Sequence, residues 1–216
     1  MKPTSRSLEL DWPAILTLLL VGSLRWVLPR SLFIGPRWLI FLILVPLIIP
    51  TVMARTRGHY RLNQILGHLL ISIITLDMAS RLYLLISALP SRRDSPQTLL
   101  VSAAALWITN ILVFASWYWR LDAASPHSRE LLGIHTNGAF LFPQMTLDED
   151  ARKKLKQEDW NPNFMDYLFL SFNTSTAFSP TDVPVLSRWA KVLTMIQSLV
   201  SLTTVALVAA RAVNIL

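Results

Sequence analysis

The sequence contains no cysteine, and charged residues make up only 15% of it. The lack of cysteine excludes disulfides, thiolate nucleophiles and metal sites built on cysteine. The charged fraction is well below the roughly 25% that is typical of soluble domains, and 53% of the 216 residues are hydrophobic. This composition is typical of a membrane protein. At this length it predicts a single membrane domain over residues 1–216.

The sequence also lacks the motifs of soluble-type catalysis. It has no His/Glu metal spacing, no glycine-rich phosphate loop and no nucleophile elbow. We therefore expect no enzymatic activity, no cofactor and no bound metal. The net charge of +7 comes from short Lys/Arg clusters between apolar runs, where such residues orient helices in a bilayer. The expected partner of these charges is the lipid bilayer and not nucleic acid.

Residues 12–119 contain four apolar segments and predict a helical bundle. A membrane-spanning helix needs about 20 mostly apolar residues, and the first two segments are short. A polar loop over 120–163 follows the bundle. In it Thr146 and Glu149 form a capping box that predicts a short surface helix. The four segments are residues 12–28, 38–53, 65–89 and 97–119.

The remaining part, residues 164–216, begins with a short apolar run and ends with a long one. The run "FMDYLFLSFN" at 164–173 predicts a helix of about ten residues, half of what a crossing needs. Such a helix either enters the membrane and returns, or lies at the interface beside the bundle. The predicted fold is all-α, a polytopic membrane bundle of four to five spans with this re-entrant or interfacial helix before the last span. The number depends on whether residues 12–28 cross the membrane.

Two charged residues, Asp77 and Arg81, lie one helical turn apart in the third apolar segment. An isolated charge at the centre of a membrane helix costs about 3 kcal/mol. Opposite charges four residues apart can neutralise each other, which is the structural interpretation of the pair. The functional interpretation is an internal ion or proton site.

The last apolar segment carries a polar stripe at helical spacing. Such a stripe either lines a polar pathway or supplies hydrogen bonds between packed helices. Its members are Thr194, Gln197, Ser201, Thr204 and Arg211.

A short helix, a Thr/Ser-rich turn, an acidic residue and a polar-striped helix follow one another in the order found in pore-loop channels. The filter-like residues are Thr174, Ser175, Thr176, Ser179 and Asp182. In a potassium filter, glycines reach positive φ without strain. Here Ser179 and Thr181 stand in place of those glycines, and Pro180 fixes φ near −65°. A normal potassium filter is therefore not predicted.

Residues 140–216 contain "FP", "DYLFLSF", the Asp182 turn, "SRWAKVL" and "AVNIL". In these motifs the chain resembles a family of bacterial multi-pass membrane proteins of unknown function. That family is similar in turn to the pore loop and inner helix of potassium channels. The resemblance implies an inner (plasma) membrane location and a channel-like architecture.

Two functions compete at this point. In the first, four chains of a homo-oligomer close a pore for a monovalent cation, with one loop from each chain. The Thr and Ser residues of the turn would replace water around the ion, Asp182 would attract cations, and Gln197, Ser201 and Thr204 would line the inner passage. In the second, the protein is a non-conducting membrane scaffold or accessory protein, and the same stripe holds helices together.

Overall fold

The computed structural model describes residues 20–24, 26, 28–33, 35–36, 38–88, 95–122, 138–158, 160–176 and 182–212. Within these ranges the protein is helical and has no strand, apart from one isolated antiparallel bridge between Phe140 and Val185. The predicted all-α class is therefore confirmed for the described part of the chain. The α-helices are α1 (Leu39–Thr56), α2 (Tyr60–Ala88), α3 (Pro96–Leu121), α4 (Glu149–Lys154), α5 (Phe164–Thr176) and α6 (Arg188–Ala212).

Among the described residues, three helices are long and apolar enough to cross a membrane. They are Arg61–Ala88 of α2, Pro96–Leu121 of α3 and Arg188–Ala210 of α6, with 28, 26 and 23 residues. At about 1.5 Å per residue, each exceeds the roughly 30 Å of a bilayer's hydrocarbon core. The first two match the predicted segments 65–89 and 97–119. The third lies in the long apolar run predicted within residues 164–216. The composition and these three helices indicate a membrane protein.

The other two predicted segments provide no further candidate span among the described residues. Helix α1 is apolar over Leu39–Ala54, which is shorter than the three candidate spans, and it contains Pro46 and Pro50. The segment 12–28 lies mostly outside the described residues. The structure therefore supports three candidate spans among the described residues, and the predicted four to five spans stay a prediction.

The chain divides into two compact units, one formed by Met1–Val113 with Leu202–Leu216 and the other by Phe114–Ser201. We call them the first and the second unit. The single membrane domain over residues 1–216 stays a prediction.

In the first unit, α1 and α2 pack against each other across a tight connection. Gly58 adopts a positive φ of 75° there, a conformation that glycine reaches without steric cost. The amide of His59 donates to the carbonyl of Ala54 at 2.7 Å and so caps the C-terminal end of α1. The side chain of Asn63 then donates from Nδ2 to the carbonyl of Thr51 at 2.9 Å, so a polar side chain of α2 ties it to α1.

The short helix α4 confirms the expected helix in the polar loop but begins differently. The predicted cap was Thr146, whereas the residue that caps the helix is Asp148, whose carboxylate accepts from the amide of Ala151 at 2.7 Å. Thr146 instead ends a 3-10 helix, Pro143–Thr146, and donates to the carbonyl of Pro143. Both residues can cap a helix, and the preceding 3-10 turn already uses the threonine.

Candidate functional site

The second unit brings together the end of α3, all of α5 and the first half of α6. Gln197 of α6 donates from Nε2 to the carbonyl of Ser171 in α5 at 2.7 Å. One turn further along both helices, the Ser201 hydroxyl donates to the carbonyl of Ser175 at 2.6 Å. Because the residue numbers of the two partners rise together, α5 and α6 run in the same direction.

The Gln197 side chain is fully buried, at 0% exposure, and its carboxamide bonds two other helices. Nε2 also lies 2.7 and 2.8 Å from the hydroxyl oxygens of Ser171 and Ser175, so its two N–H groups are shared among three acceptors. On the other side, the Oε1 atom accepts from the hydroxyl of Tyr118 in α3. One side chain of α6 therefore holds both α3 and α5.

A second polar centre lies at the end of α3, where Asp122 is fully buried. Its Oδ2 atom accepts from the hydroxyl of Tyr167 in α5 at 2.7 Å, and its Oδ1 atom accepts from the amide of Ala139. The carbonyl of Ala139 accepts in turn from the amide of Leu186 at 2.7 Å. The carboxylate thus joins the end of α3, the first turn of α5 and the chain just before α6.

Aromatic rings surround this junction. The Phe140 ring lies 5.1 Å from Tyr118, 6.3 Å from Tyr167 and 6.1 Å from Trp189, measured between ring centroids. All three pairs are edge-on, an arrangement that aromatic rings favour. Since Tyr167 is in the first turn of α5 and Trp189 is in the first turn of α6, the two helices begin beside each other.

The two helices differ in how far they run from this common start. Helix α5 has 13 residues and is therefore about 20 Å long, which is too short to cross a bilayer. After Thr176 the chain comes back, because Val185 pairs with Phe140 in the antiparallel bridge. Eight residues lie between Thr176 and Val185, and the nine residue steps that join them reach about 30 Å in an extended chain, which is enough for the return.

The filter-like residues lie partly in α5. Thr174, Ser175 and Thr176 form its last turn, so the helix extends three residues beyond the predicted end at 173. Their hydroxyls are bonded within the protein: Thr174 to the carbonyl of Leu170 at 2.8 Å, Thr176 to that of Phe172 at 3.0 Å, and Ser175 to Gln197. Bonds to the carbonyl four residues earlier are compatible with a continued helix. The region expected to be a turn is therefore helical as far as 176.

Two further members of the filter-like set follow α5. Ser179 is outside the described residues, as are the neighbouring Thr181 and Pro180. Asp182 is described and exposed. The carboxylate at the end of the predicted turn is therefore accessible.

The polar stripe of α6 faces the protein interior over most of its described length. Gln197, Ser201 and Thr204 are buried, and the first two bond α5. Thr194 is half-buried and donates to the carbonyl of Lys191 in its own helix at 2.9 Å; the side chain of Arg211 lies outside the described residues. Of the two interpretations of the stripe, these contacts favour hydrogen bonding between helices.

The charged pair of α2 is formed in the first unit. Arg81 donates from Nε to Oδ2 of Asp77 at 2.8 Å and from Nη2 to Oδ1 at 3.1 Å, so the contact is bidentate. Arg81 is 3% exposed, and its guanidinium lies 4.4 Å from the centre of the Phe33 ring. This arrangement corresponds to mutual neutralisation of the two charges.

Sequence reasoning missed Tyr118, Asp122, Tyr167 and Ser171. The sequence placed Tyr118 in the apolar segment 97–119 and Asp122 in the polar loop 120–163. Ser171 and Ser175 are four residues apart and therefore share a helix face, which was a signal that could have been used. The contacts to Tyr118 and Asp122 span 79 and 45 residues, and no periodicity indicates them.

Within the described residues, no group of three or more His, Cys, Asp or Glu side chains could hold a metal ion. The comparisons with known proteins gave no match: no protein-family model, no curated protein and no solved structure is similar to the chain. The resemblance of residues 140–216 to a bacterial membrane family therefore stays a prediction.

Proposed function

We propose that the chain is a multi-pass protein of a bacterial inner membrane in which α5 is re-entrant. The second unit then acts as a channel-like, ion-permeation element of a homo-oligomer. The observation that supports this proposal is the parallel course of α5 and α6 from a common start, followed by the return of the chain from Thr176 to Val185. In a pore loop, a short helix enters the membrane and ends, and the chain returns to the same side before a full-length span begins.

The ion-facing part in this proposal begins at Thr176 and ends at Asp182. The carbonyls of Thr174 and Ser175 accept from Ser198 and Ser201 of α6, so they are engaged inside the protein. Irregular backbone at membrane depth has to be covered by protein or line a water-filled cavity. An exposed carboxylate at Asp182 favours cations, and four copies would bring four loops together around a monovalent cation.

In this proposal the polar stripe of α6 no longer has the role of lining the inner passage. Gln197 and Ser201 direct their polar groups to α5, so in the proposed arrangement they hold the re-entrant helix and do not line the passage. The span count of four to five and the tetrameric state belong to the same proposal.

A second function, a non-conducting scaffold or accessory protein, is favoured by one observation. The side-chain groups of Gln197, Ser175 and Ser201 all have partners within a single chain. A network that is satisfied in this way needs neither an ion nor a second copy, and it holds the helices together by itself.

Purified protein reconstituted in liposomes separates the two functions. We expect monovalent cation flux from the unmodified protein, a strong decrease for Asp182→Asn and a decrease for Thr176→Val. Thr109→Val is the matched control, since the buried Thr109 hydroxyl donates to the carbonyl of Ala105 in its own helix. Absence of flux in every preparation, together with a strictly monomeric protein in detergent, would leave the scaffold as the remaining function.

A further inference from the structure

We infer that Gln197 is a positioning residue that fixes how far α5 runs along α6, and through α5 the depth of Thr176. This inference rests on the proposal that α5 is re-entrant. It adds a residue-level cause for the location of the proposed ion-facing segment.

The geometry around Gln197 leaves little freedom for α5 to slide. Nε2 reaches both Ser171 and Ser175, which lie one turn apart, at 2.7–2.8 Å. Sliding α5 by two residues moves its atoms by about 3 Å along the axis, which lengthens a 2.7 Å contact across the axis to about 4 Å, beyond hydrogen-bond distance. The Ser201 bond to the Ser175 carbonyl would break in the same movement.

Apolar packing does not supply the same restraint on the other face of α5. Met165, Phe169 and Phe172 are 61%, 56% and 44% exposed and form one stripe along the helix. In a membrane such residues contact lipid chains, which are as apolar as the side chains themselves, so there is no hydrophobic gradient along the helix. Buried polar groups are the groups that distinguish one register from another.

Tyr118 determines which way the Gln197 carboxamide points. A carboxamide presents a donor on one side and an acceptor on the other. The Tyr118 hydroxyl donates to Oε1, which directs Nε2 to the serines of α5. The Tyr118 ring is itself held by Phe114 and Phe140, at 6.2 and 5.1 Å between centroids. The position of α5 therefore depends on α3 as well as on α6.

Cysteine labelling tests the inference directly, because the chain has no native cysteine. The reporter is Thr176→Cys in reconstituted protein, and the measurement is its rate of reaction with a membrane-impermeant thiol reagent. Gln197→Met keeps the length of the side chain and removes its hydrogen bonds. We expect this variant to change the labelling rate about tenfold, the effect of losing several interhelical bonds, and Tyr118→Phe to change it less.

Two controls accompany this measurement. Thr109→Val removes a buried hydroxyl that bonds only a carbonyl of its own helix in the described contacts, and it should leave the rate at residue 176 unchanged. Asp150→Cys places the reporter on the exposed helix α4, and its rate should be equal in all variants. If Gln197→Met does not yield folded protein, Ser175→Ala and Ser201→Ala, which each delete one hydroxyl, take its place.

An unchanged rate at residue 176 in folded Gln197→Met, or in both serine variants, would overturn the inference. Its outcome is separate from that of the proposed function. A changed labelling rate without any ion flux would support the positioning role and contradict the channel. Ion flux combined with an unchanged labelling rate would support the channel and contradict the positioning role of Gln197.

Discussion

The first unit buries an ion pair, whereas the second buries a network of neutral groups around Gln197 and, at a separate centre, the carboxylate of Asp122. Asp77 and Arg81 are four residues apart on α2. The partners of Gln197 are 22, 26 and 79 residues away in sequence. The ion pair can therefore form in a single isolated helix, and it helps that helix to enter the membrane whatever surrounds it. The network of the second unit can form only when three helices have assembled.

This difference separates two uses of polarity in a membrane helix. A local pair lowers the free-energy cost of its own charges and carries no information about neighbouring helices. A long-range network selects which helices pack together and at which height, because its donors and acceptors meet in one arrangement only. Variants that remove one partner at a time test this distinction.

The largest effect is expected for Arg81→Leu, which leaves the Asp77 carboxylate without its bidentate partner. Removing one member of a buried ion pair destabilises a protein by about 3–5 kcal/mol, and we expect the lower end here because the Asp77 side chain is 22% exposed. The measurement is the free energy of unfolding in detergent. The double variant Asp77→Leu with Arg81→Leu should recover most of the loss. If the double variant is as unstable as Arg81→Leu alone, mutual neutralisation of the two charges does not account for the contribution of the pair to stability.

The next effect is expected for Asp122→Ala at the junction of the second unit. The amide of Ala139, which is buried, loses its acceptor, and an unsatisfied buried donor costs about 2 kcal/mol. Hydrogen exchange of that amide should accelerate by about thirtyfold, which is the same free energy expressed as a rate ratio. Tyr167→Phe is the comparison, since it removes the other bond of Asp122 and should leave the Ala139 amide protected. Equal acceleration of Ala139 exchange in both variants would mean that the residues bonded to Asp122 unfold together, as one cooperative unit.

A smaller effect is expected for Tyr118→Phe, which keeps the ring contacts with Phe114 and Phe140 and removes one hydroxyl. Hydrogen bonds between membrane helices contribute about 0.6 kcal/mol on average, so the loss of unfolding free energy should be near that value. In combination with Gln197→Met, the losses should be less than additive, because both changes remove the same bond. Additive losses would show that the two residues act separately. Thr109→Val with Gln197→Met serves as the pair that should add.

The smallest effect is a pH dependence at the start of α5, where Asp166 and Asn163 cap the helix. The Asp166 Oδ2 atom accepts from the amide of Asn163 at 2.7 Å, and the Asn163 side chain accepts from the amide of Met165 at 2.8 Å. Burial raises the pKa of the Asp166 carboxyl above its ordinary value, and the backbone hydrogen bonds from Asn163 and from Asp166 itself oppose part of that rise.

The sign of this dependence follows from the raised pKa. The folded protein holds the proton of Asp166 to higher pH than the unfolded chain does, so the contribution of this group to stability is greatest below the ordinary pKa of aspartate. It declines as the pH rises from the ordinary to the raised pKa. Asp166→Asn should remove this part of the slope in a plot of unfolding free energy against pH. Identical slopes for both proteins would assign the dependence to other groups.

The local features of the fold were predictable from the sequence. The apolar runs predicted the helices that are long enough to cross a membrane, and the spacing of Asp77 and Arg81 predicted their pairing, because both depend on residues close together along the chain. The stripe of α6 was also visible as a pattern. The residue at which α5 ends was not predictable. The hydroxyls of Thr174 and Thr176 donate to carbonyls of their own helix, so threonines at these positions are compatible with a continued helix as well as with a turn.

The partners of the stripe could not be predicted. Helical spacing placed Gln197 and Ser201 on one face of α6 but gave no information on whether water, lipid or another helix covers that face. Asp122 was missed for a related reason. In sequence it is the first acidic residue after an apolar run, and its burial depends on Tyr167 and on residues 139–142, which arrive from distant parts of the chain.

The parallel course of α5 and α6 also aligns their macrodipoles. Each helix start carries about half a positive charge and each helix end about half a negative charge, so the two positive ends lie side by side near the carboxylates of Asp122 and Asp166. Those carboxylates stabilise the like-charged ends. The negative end of α5 lies near Thr176, about 14 Å further along the axis than Tyr167, where no such opposite charge is provided by the described part of α5. A cation beside Thr176 would supply it.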